Sequence, residues 1–455
     1  MDLFLKPLSL GAAGIRGEVG AGLTPEVAGD FAAAFGTMKS GAPVLLACDT
    51  RPSSLPLCHA VIAALLSCGC RVVDAGVLPA GMLHFLIPAL GFGGGLMISG
   101  GHQAAGWNAI IPFDADGAYF DDIQRRELFD LYHARRFAEA NYEEIMPVEK
   151  LDPAALKSYW ESLRAAVDTE AIRRARFTVI GDYCNGAGSA FAAKFAEIFN
   201  LNQIAVNDGD SGVVSRDPEP RPRSESPIRA VIRPLGAALG LVFNSDMSRL
   251  GLLSDTGEPL SEELTSPLAI DYLLEKSGPA TVIGNTCSSR TLDEVVAARG
   301  GKLEKVKVGQ ANIIGAMKRF GAPFGGEGSG SFAYGNLRGF DGFRMAALFL
   351  EMLALRGTKL SEQLKALPRF HIVKKTLPSP SAHGYALLRR LKGRFADAEL
   401  SELDGLRFDW EDGWLSLRIS NTEPVIRLIS ESRRRTSAVE RAWQARAMLE
   451  STVLR

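Results

Sequence analysis

Short apolar runs alternate with helix-patterned segments along most of this chain, and the alternation starts over twice. Pro43–Ala47 (PVLLA) is a short apolar run leading to Asp49, and Pro56–Cys68 then carries apolar residues at helical spacing. Arg71–Val77 (RVVDAGV) and Gly95–Ile98 (GLMI) are further short runs. Strand-length runs separated by amphipathic helices predict βαβ units and a mostly parallel sheet. In such sheets the loops after the strand ends carry the ligand site. A charged, helix-rich stretch, Asp121 to Arg176, separates this block from the next, which opens with Phe177–Asp182 (FTVIGD), the turn Cys184–Gly188 and the strand Gly240–Asn244. The third block has strands at Thr281–Gly284 and Lys305–Val308 and a glycine-rich loop, Phe324–Gly330. From Asp404 the pattern changes to strands alternating with turns and then a helix, which predicts a small α+β domain. The expected segmentation is 1–150, 151–253, 254–365 and 366–455, with Asp217–Pro227 a loop inside the second segment.

Composition narrows the function classes. Lys plus Arg is 51 and Asp plus Glu is 52, for a net charge of −1, which argues against a general nucleic-acid binder or a polybasic membrane protein. A 46% hydrophobic fraction excludes a disordered chain. No apolar run reaches the roughly 18 residues of a membrane span, and the N-terminal residues lack the apolar core of a secretion signal. The expectation is a cytoplasmic, enzyme-sized protein, a monomer or dimer. Cys48, Cys58, Cys68, Cys70, Cys184 and Cys287 are too few for a disulfide scaffold and read as buried reduced thiols. Trp410 and Trp414 read as packing residues.

Four polar loops carry chemistry: Ser99–Asn108 (SGGHQAAGWN), Asn244–Arg249 (NSDMSR), Gly325–Gly330 (GGEGSG) and Arg418–Pro424 (RISNTEP), with Arg427 three residues further on. In the fourth, a guanidinium, two hydroxyls, an amide and turn N–H groups form an anion cradle that matches a phosphate. The third sets Glu327 and Ser329 on a glycine loop, which suits sugar hydroxyls.

These four loops, in this order and at these spacings, resemble the α-D-phosphohexomutase superfamily, the phosphoglucomutase/phosphomannomutase group. Gly14–Gly17 (GIRG), Asp49–Ser54 (DTRPSS), Cys184–Gly188 (CNGAG), Phe324–Gly330 and Asp341–Gly342 add to the match, which spans nearly the whole chain. The resemblance implies four domains around a central cleft, three related α/β domains with mixed sheets and a C-terminal α+β domain. It also implies phosphoryl transfer through a phosphoserine, with a Mg²⁺ held by three aspartates offsetting charge.

The chain departs from that family at its reactive loops. The family's serine loop reads T-A-S-H-N-P, and here Ser99–Ala104 reads SGGHQA, so Gly101 stands at the nucleophile position. Glycine has no oxygen to carry a phosphate. The family's lysine position is Ile111. The metal loop D-G-D-G-D-R is here Asn244, Ser245, Asp246, Met247, Ser248, Arg249, leaving one carboxylate of three. Magnesium needs about six oxygen ligands with at least one or two carboxylates. The sugar loop ends Gly330–Ser331 where the family has G-H.

The binding residues remain: Glu327, Ser329, Arg249 and Arg16 for the substrate, and Arg418, Ser420, Asn421, Thr422 and Arg427 for phosphate. The resemblance with these losses implies a hexose-phosphate-binding pseudoenzyme of carbohydrate metabolism, with no cofactor and a degraded Mg²⁺ site. No residue is assigned as catalytic. Asp246 is expected to pair with Arg249 or another cleft base, Ser99 to cap its loop, and His102 to orient that loop. Two other readings stay open. One is an active phosphosugar mutase or isomerase, an intramolecular phosphotransferase using His102 or Ser99 in altered chemistry. The other is a scaffold without ligand.

Overall fold

The structure, a computed structural model, describes residues 8–11, 14–221, 227–378, 381–420 and 425–453. It divides into two compact units, Met1–Thr265 with Ser329–Lys365, and Ser266–Gly328 with Ala366–Arg455.

In the first unit a seven-stranded sheet runs in the order Ser9–Gly11, Gly14–Glu18, Trp107–Asp114, Gly94–Ile98, Val44–Cys48, Val72–Val77, Glu149–Lys150. Val44–Cys48 pairs in parallel with Gly94–Ile98 and Val72–Val77, as the apolar runs predict. Trp107–Asp114 returns antiparallel beside Gly94–Ile98. All five residues of Val44–Cys48 and of Gly94–Ile98 are buried, so both faces are covered. Pro25–Lys39 and Ser54–Ser67 are among the covering helices. Thr24 caps the first of these by accepting a hydrogen bond from the Val27 N–H at 3.3 Å, with Pro25 starting the first turn.

A second sheet in this unit runs Leu250–Leu253, Leu239–Phe243, Thr178–Asp182, Asn202–Val206. Its last three strands are parallel and its first antiparallel. Arg216 closes its end: Nε lies 2.9 Å from Asp182 Oδ2, and Nη2 donates to the Phe243 carbonyl at 2.6 Å. The helix Gly342–Arg356 is buried from Gly342 to Leu353 and packs on Thr169–Ala175 and Leu156–Ala165.

In the second unit Lys302–Val306, Thr281–Asn285 and Phe324–Glu327 pair in parallel. An antiparallel sheet runs His371–Pro378, Val425–Ser432, Gly413–Ile419, Leu406–Trp410, Glu399–Ser401. Its apolar face, with Leu415, Leu417, Ile426 and Leu428, packs on Ala442, Ala445 and Leu449 of the helix Arg435–Val453.

Three sequence expectations need correction. Phe324–Glu327 is a buried strand and only the residues after it turn, because Thr281–Asn285 supplies a hydrogen-bonding edge. Arg418 lies inside the strand Gly413–Ile419, and the α+β region has two earlier strands, His371–Pro378 and Glu399–Ser401. The strand expected at Lys305–Val308 is Lys302–Val306. The cysteines are free, all buried except half-buried Cys287, and burial pushes the Cys70 thiol up to about 11. No helix among the described residues is long and apolar enough to cross a membrane.

Asp341 caps Gly342–Arg356, accepting from the Phe343 N–H at 3.0 Å, the Arg344 N–H at 3.2 Å and the Tyr159 hydroxyl at 2.9 Å. Burial holds its carboxyl above its ordinary pKa against the pull of Arg344. Asp341→Ala is expected to cost about 2–4 kcal/mol, from the lost cap and the orphaned phenol. Asp341→Asn keeps an acceptor. Because the folded pKa exceeds the unfolded value near 4, the folded state binds more protons above about pH 4. Wild-type stability relative to Asp341→Asn therefore falls as pH rises from about 4 through the folded pKa. Melting both proteins across that range checks the sign.

Candidate functional site

Three strand ends of the first unit deliver their loops to one buried cluster. Val44–Cys48 runs into Asp49, Gly94–Ile98 into Ser99–Gly101, and Leu239–Phe243 into Asn244–Arg249. Asp49 is 1% exposed. Its Oδ1 accepts from the Arg51 N–H at 3.0 Å and the Ser54 hydroxyl at 2.6 Å. Its Oδ2 accepts from the Gly100 N–H at 3.0 Å, and lies 2.9 Å from Ser99 Oγ and 3.4 Å from Ser245 Oγ.

Ser99 Oγ accepts from the Gly101 N–H at 2.9 Å and also lies 3.1 Å from Asp246 Oδ2. A hydroxyl has one proton to give, so Ser99 serves two carboxylates by turns. It is 1% exposed and caps its loop. The rest of the Asn244–Arg249 loop closes on Asp246. Its Oδ1 accepts from Asn244 Nδ2 at 2.8 Å, the Ser248 N–H at 3.0 Å and the Ser248 hydroxyl at 2.6 Å. The Arg249 N–H donates to Asn244 Oδ1 at 2.9 Å, which fixes that amide with its N–H side toward Asp246.

The expected Asp246–Arg249 pairing is not formed. Arg249 instead bonds Glu219 through Nη1, while Asp246 takes contacts from Ser99, Asn244 and Ser248 and, of the other cleft bases the sequence allowed for it, acts on the charge of Arg16. Arg16 is half-buried on the strand Gly14–Glu18. Burial and then repulsion from Arg249 lower its pKa, while Tyr119 and Asp246 raise it.

Arg51 shapes the serine loop. Its Nη1 donates to the Ala104 and Trp107 carbonyls at 2.7 Å each, and Nη2 to the Gln103 carbonyl at 2.7 Å. The guanidinium lies so close that a Cβ on Gly100 would fall 2.1 Å from Cζ. Gly101 has φ +56°, and a Cβ there would meet Asp246 Oδ2 at 3.2 Å. His102 is half-buried, with Nε2 3.2 Å from Gln103 Nε2. Ser331 is buried and donates to the Ser248 carbonyl at 3.1 Å. Half-buried Ser329 lies in the turn before it. The sequence marked Asp49–Ser54 only as part of the family match; the hold of Asp49 and Arg51 on the neighbouring loop, and the contact of Ser245 with it, are visible only in the structure.

The second unit holds the remaining candidates. Glu327 ends its strand, 6% exposed, with Asn285 Nδ2 3.5 Å from its Oε2. Arg418 and Arg427 stand directly opposite on adjacent strands. Like charges placed in register repel. One carboxylate, Asp404, lies 3.8 Å from Arg418 Nε. Ser420 follows, its N–H donating to the Val425 carbonyl at 2.9 Å. Asn421 and Thr422 lie outside the described residues.

Buried polar loops thus gather at the ends of parallel strands in the first unit, and two arginines stand in register in the second, within an α/β fold. The chain belongs to the phosphoglucomutase/phosphomannomutase family, whose α/β/α domains I, II and III match residues 7–139, 157–257 and 263–370 and whose C-terminal domain matches 378–447. It is 29% identical over 449 residues to a protein of Pyrococcus furiosus named "Probable phosphoglucosamine mutase", covering 97% of this chain and 98% of that one. A protein of the same name from Methanopyrus kandleri is 30% identical over 93% of each chain. The crystal structure of a phosphoglucomutase/phosphomannomutase family protein from Burkholderia thailandensis shares the fold, with a TM-score of 0.83 at 24% identity over 98% of this chain and 96% of that one. A solved structure of similar fold, Aspergillus fumigatus N-acetylphosphoglucosamine mutase, with a TM-score of 0.57 at 15% identity over 90% of this chain and 83% of that one, is described as a complex with GlcNAc-6P and magnesium.

Gly101→Ser is expected to cost about 1–2 kcal/mol, since an L-residue is strained at this left-handed φ. Urea unfolding of the variant checks it.

Proposed function

We propose that this chain binds hexose phosphates and interconverts them as a phosphohexomutase does, with the phosphoryl acceptor moved off residue 101. The observation that carries this reading is the end-to-end match, over 97% of this chain, to a relative named as a phosphoglucosamine mutase. The proposed roles are Arg418, Ser420, Asn421, Thr422 and Arg427 on a phosphate, Glu327 and Ser329 on sugar hydroxyls, and Arg16 and Arg249 on substrate charge. The proposed domains are 1–150, 151–253, 254–365 and 366–455.

The local geometry narrows the acceptor. Gly101 has no side chain, and Ser99 is buried between Asp49 and Asp246. His102 is the remaining candidate. A ring nitrogen of His102 attacks a phosphorus of a hexose bisphosphate. The N–P bond forms, the P–O bond to the sugar breaks, and the sugar oxygen takes a proton. The phosphohistidine then passes its phosphoryl group to the free hydroxyl of an incoming hexose monophosphate, whose proton leaves. The bisphosphate so formed turns over and gives its original phosphoryl group back to His102, releasing the isomeric monophosphate.

A second reading, a phosphosugar-binding protein without turnover, is favoured by the glycine at position 101 with its left-handed backbone. An NMR assay on glucose, mannose and glucosamine phosphates, primed with a hexose bisphosphate, separates the two. Product formation reduced about 100-fold or more by His102→Ala, with an acid-labile phosphoryl label on the protein, is expected. Micromolar binding without product would establish the second reading. Gly101→Ser alone is expected to add no serine-based mutase activity in the same assay, because the metal loop and Ile111 also differ.

The metal loop is proposed to take no Mg²⁺. Magnesium would need oxygen lone pairs, whereas three donors already point at Asp246 Oδ1 and Ser99 lies within hydrogen-bonding distance of Oδ2. Among the described residues no group of three or more His, Cys, Asp or Glu could hold a metal. Binding at 100 times Kd would add about 2.7 kcal/mol of stability. Mg²⁺ is therefore expected to leave the melting temperature of this protein unmoved. It is expected to raise that of the double variant Asn244→Asp with Ser248→Asp.

A further inference from the structure

The antiparallel sheet of the second unit has two unlike faces. Alternation places Trp414, Ser416 and Arg418 on one face of their strand and Arg427, Ile429 and Glu431 on the same face of the next. The register confirms it, pairing Trp414 with Glu431, Ser416 with Ile429 and Arg418 with Arg427. Arg407 and Asp409 share this face on the neighbouring strand. The opposite face is apolar and packs on the C-terminal helix.

The polar face meets the loops at the ends of the parallel strands. Arg407 donates to the Thr286 carbonyl. Cys287 Sγ lies 3.7 Å from Ser416 Oγ. Arg290 donates through its guanidinium to the carbonyls of Trp410 and Glu411, each at 2.5 Å. The Val308 N–H donates to Asp404 at 2.9 Å. Glu431 lies at the centre of this seam, 1% exposed. Its Oε1 accepts from the Trp414 indole N–H at 2.8 Å and from the Arg290 backbone N–H at 2.8 Å, at the start of the helix Arg290–Ala298. A buried carboxylate is costly, and removing its partners would strand it. Here it binds the two strands to each other and both to that helix.

We propose that Glu431 is a positioning residue, which fixes the strands bearing Arg418 and Arg427 against the parallel sheet bearing Asn285 and Glu327. The proposal rests on the reading of Arg418 and Arg427 as phosphate ligands and of Glu327 as a sugar ligand. A ligand that touches both sheets requires their relative placement, whereas inorganic phosphate requires only the arginines. Glu431 therefore governs affinity for the two-ended ligand and leaves the one-ended anion alone.

The full chain tests this with Glu431→Leu, Glu431→Gln and Trp414→Phe. Trp414→Phe removes the indole N–H while keeping an aromatic ring under Arg407, and serves if Glu431→Leu does not fold. Titration with glucose 6-phosphate, glucosamine 6-phosphate and inorganic phosphate is paired with hydrogen exchange of 413–419 and 425–432 without ligand. Glu431→Leu and Trp414→Phe are expected to weaken a hexose phosphate about tenfold or more, with inorganic phosphate within about twofold and Glu431→Gln close to wild type. Faster exchange in those strands is expected to accompany the loss. Equal weakening of sugar phosphate and phosphate, or of neither, would overturn the proposal. If the wild-type protein binds neither kind of ligand, the reading of the arginines and Glu327 fails. Exchange alone then decides: faster exchange in Trp414→Phe upholds Glu431 as the lock on these strands, and unchanged exchange rejects it.

Discussion

The Asp49 carboxylate is the constraint on which the first unit's polar end depends. It stands at the end of a fully buried strand, where water is not at hand to satisfy loop N–H groups. It takes hydrogen bonds from its own loop through Arg51 N–H and Ser54, and from the next loop through Gly100 N–H. Ser99 adds its hydroxyl from that same loop, and Ser245 brings in the third strand end, donating to the Gly101 carbonyl at 2.6 Å with Asp49 Oδ2 3.4 Å away. Arg51, itself buried, answers the charge and uses its other donors on backbone carbonyls of the serine loop. Loops from two sheets are thus held in one arrangement by the Asp49 and Asp246 carboxylates, the Gly101 carbonyl and one guanidinium.

Much of the fold was legible because it follows local rules. Runs such as Val44–Cys48 and Thr178–Asp182 are short, apolar and bounded by polar turns, and they are strands. The errors came where a neighbour decided the outcome. Phe324–Glu327, with two glycines, reads as loop until Thr281–Asn285 offers it hydrogen bonds. Arg418 reads as part of a cradle loop until its register with Arg427 extends the strand through it.

The candidate site was legible as a set of loops and much less so as a set of contacts. Residue types at Asn244, Asp246 and Ser248 put one carboxylate in a loop where the resemblance leads one to expect three. They could not show that the survivors would bond to one another, which depends on the turn that brings Ser248 Oγ to 2.6 Å from Asp246. The same holds for Glu431. Nothing in its sequence neighbourhood distinguishes it, since Trp414 is 17 residues away and Arg290 lies 141 residues away.

The contact between Arg51 and Gly100 has a steric consequence. A methyl at position 100 would occupy the space of the guanidinium. Arg51 reaches the Ala104, Trp107 and Gln103 carbonyls across that bare stretch of backbone. Any side chain at 100 would push the guanidinium off those carbonyls, so the shape of the whole loop hangs on one missing carbon atom.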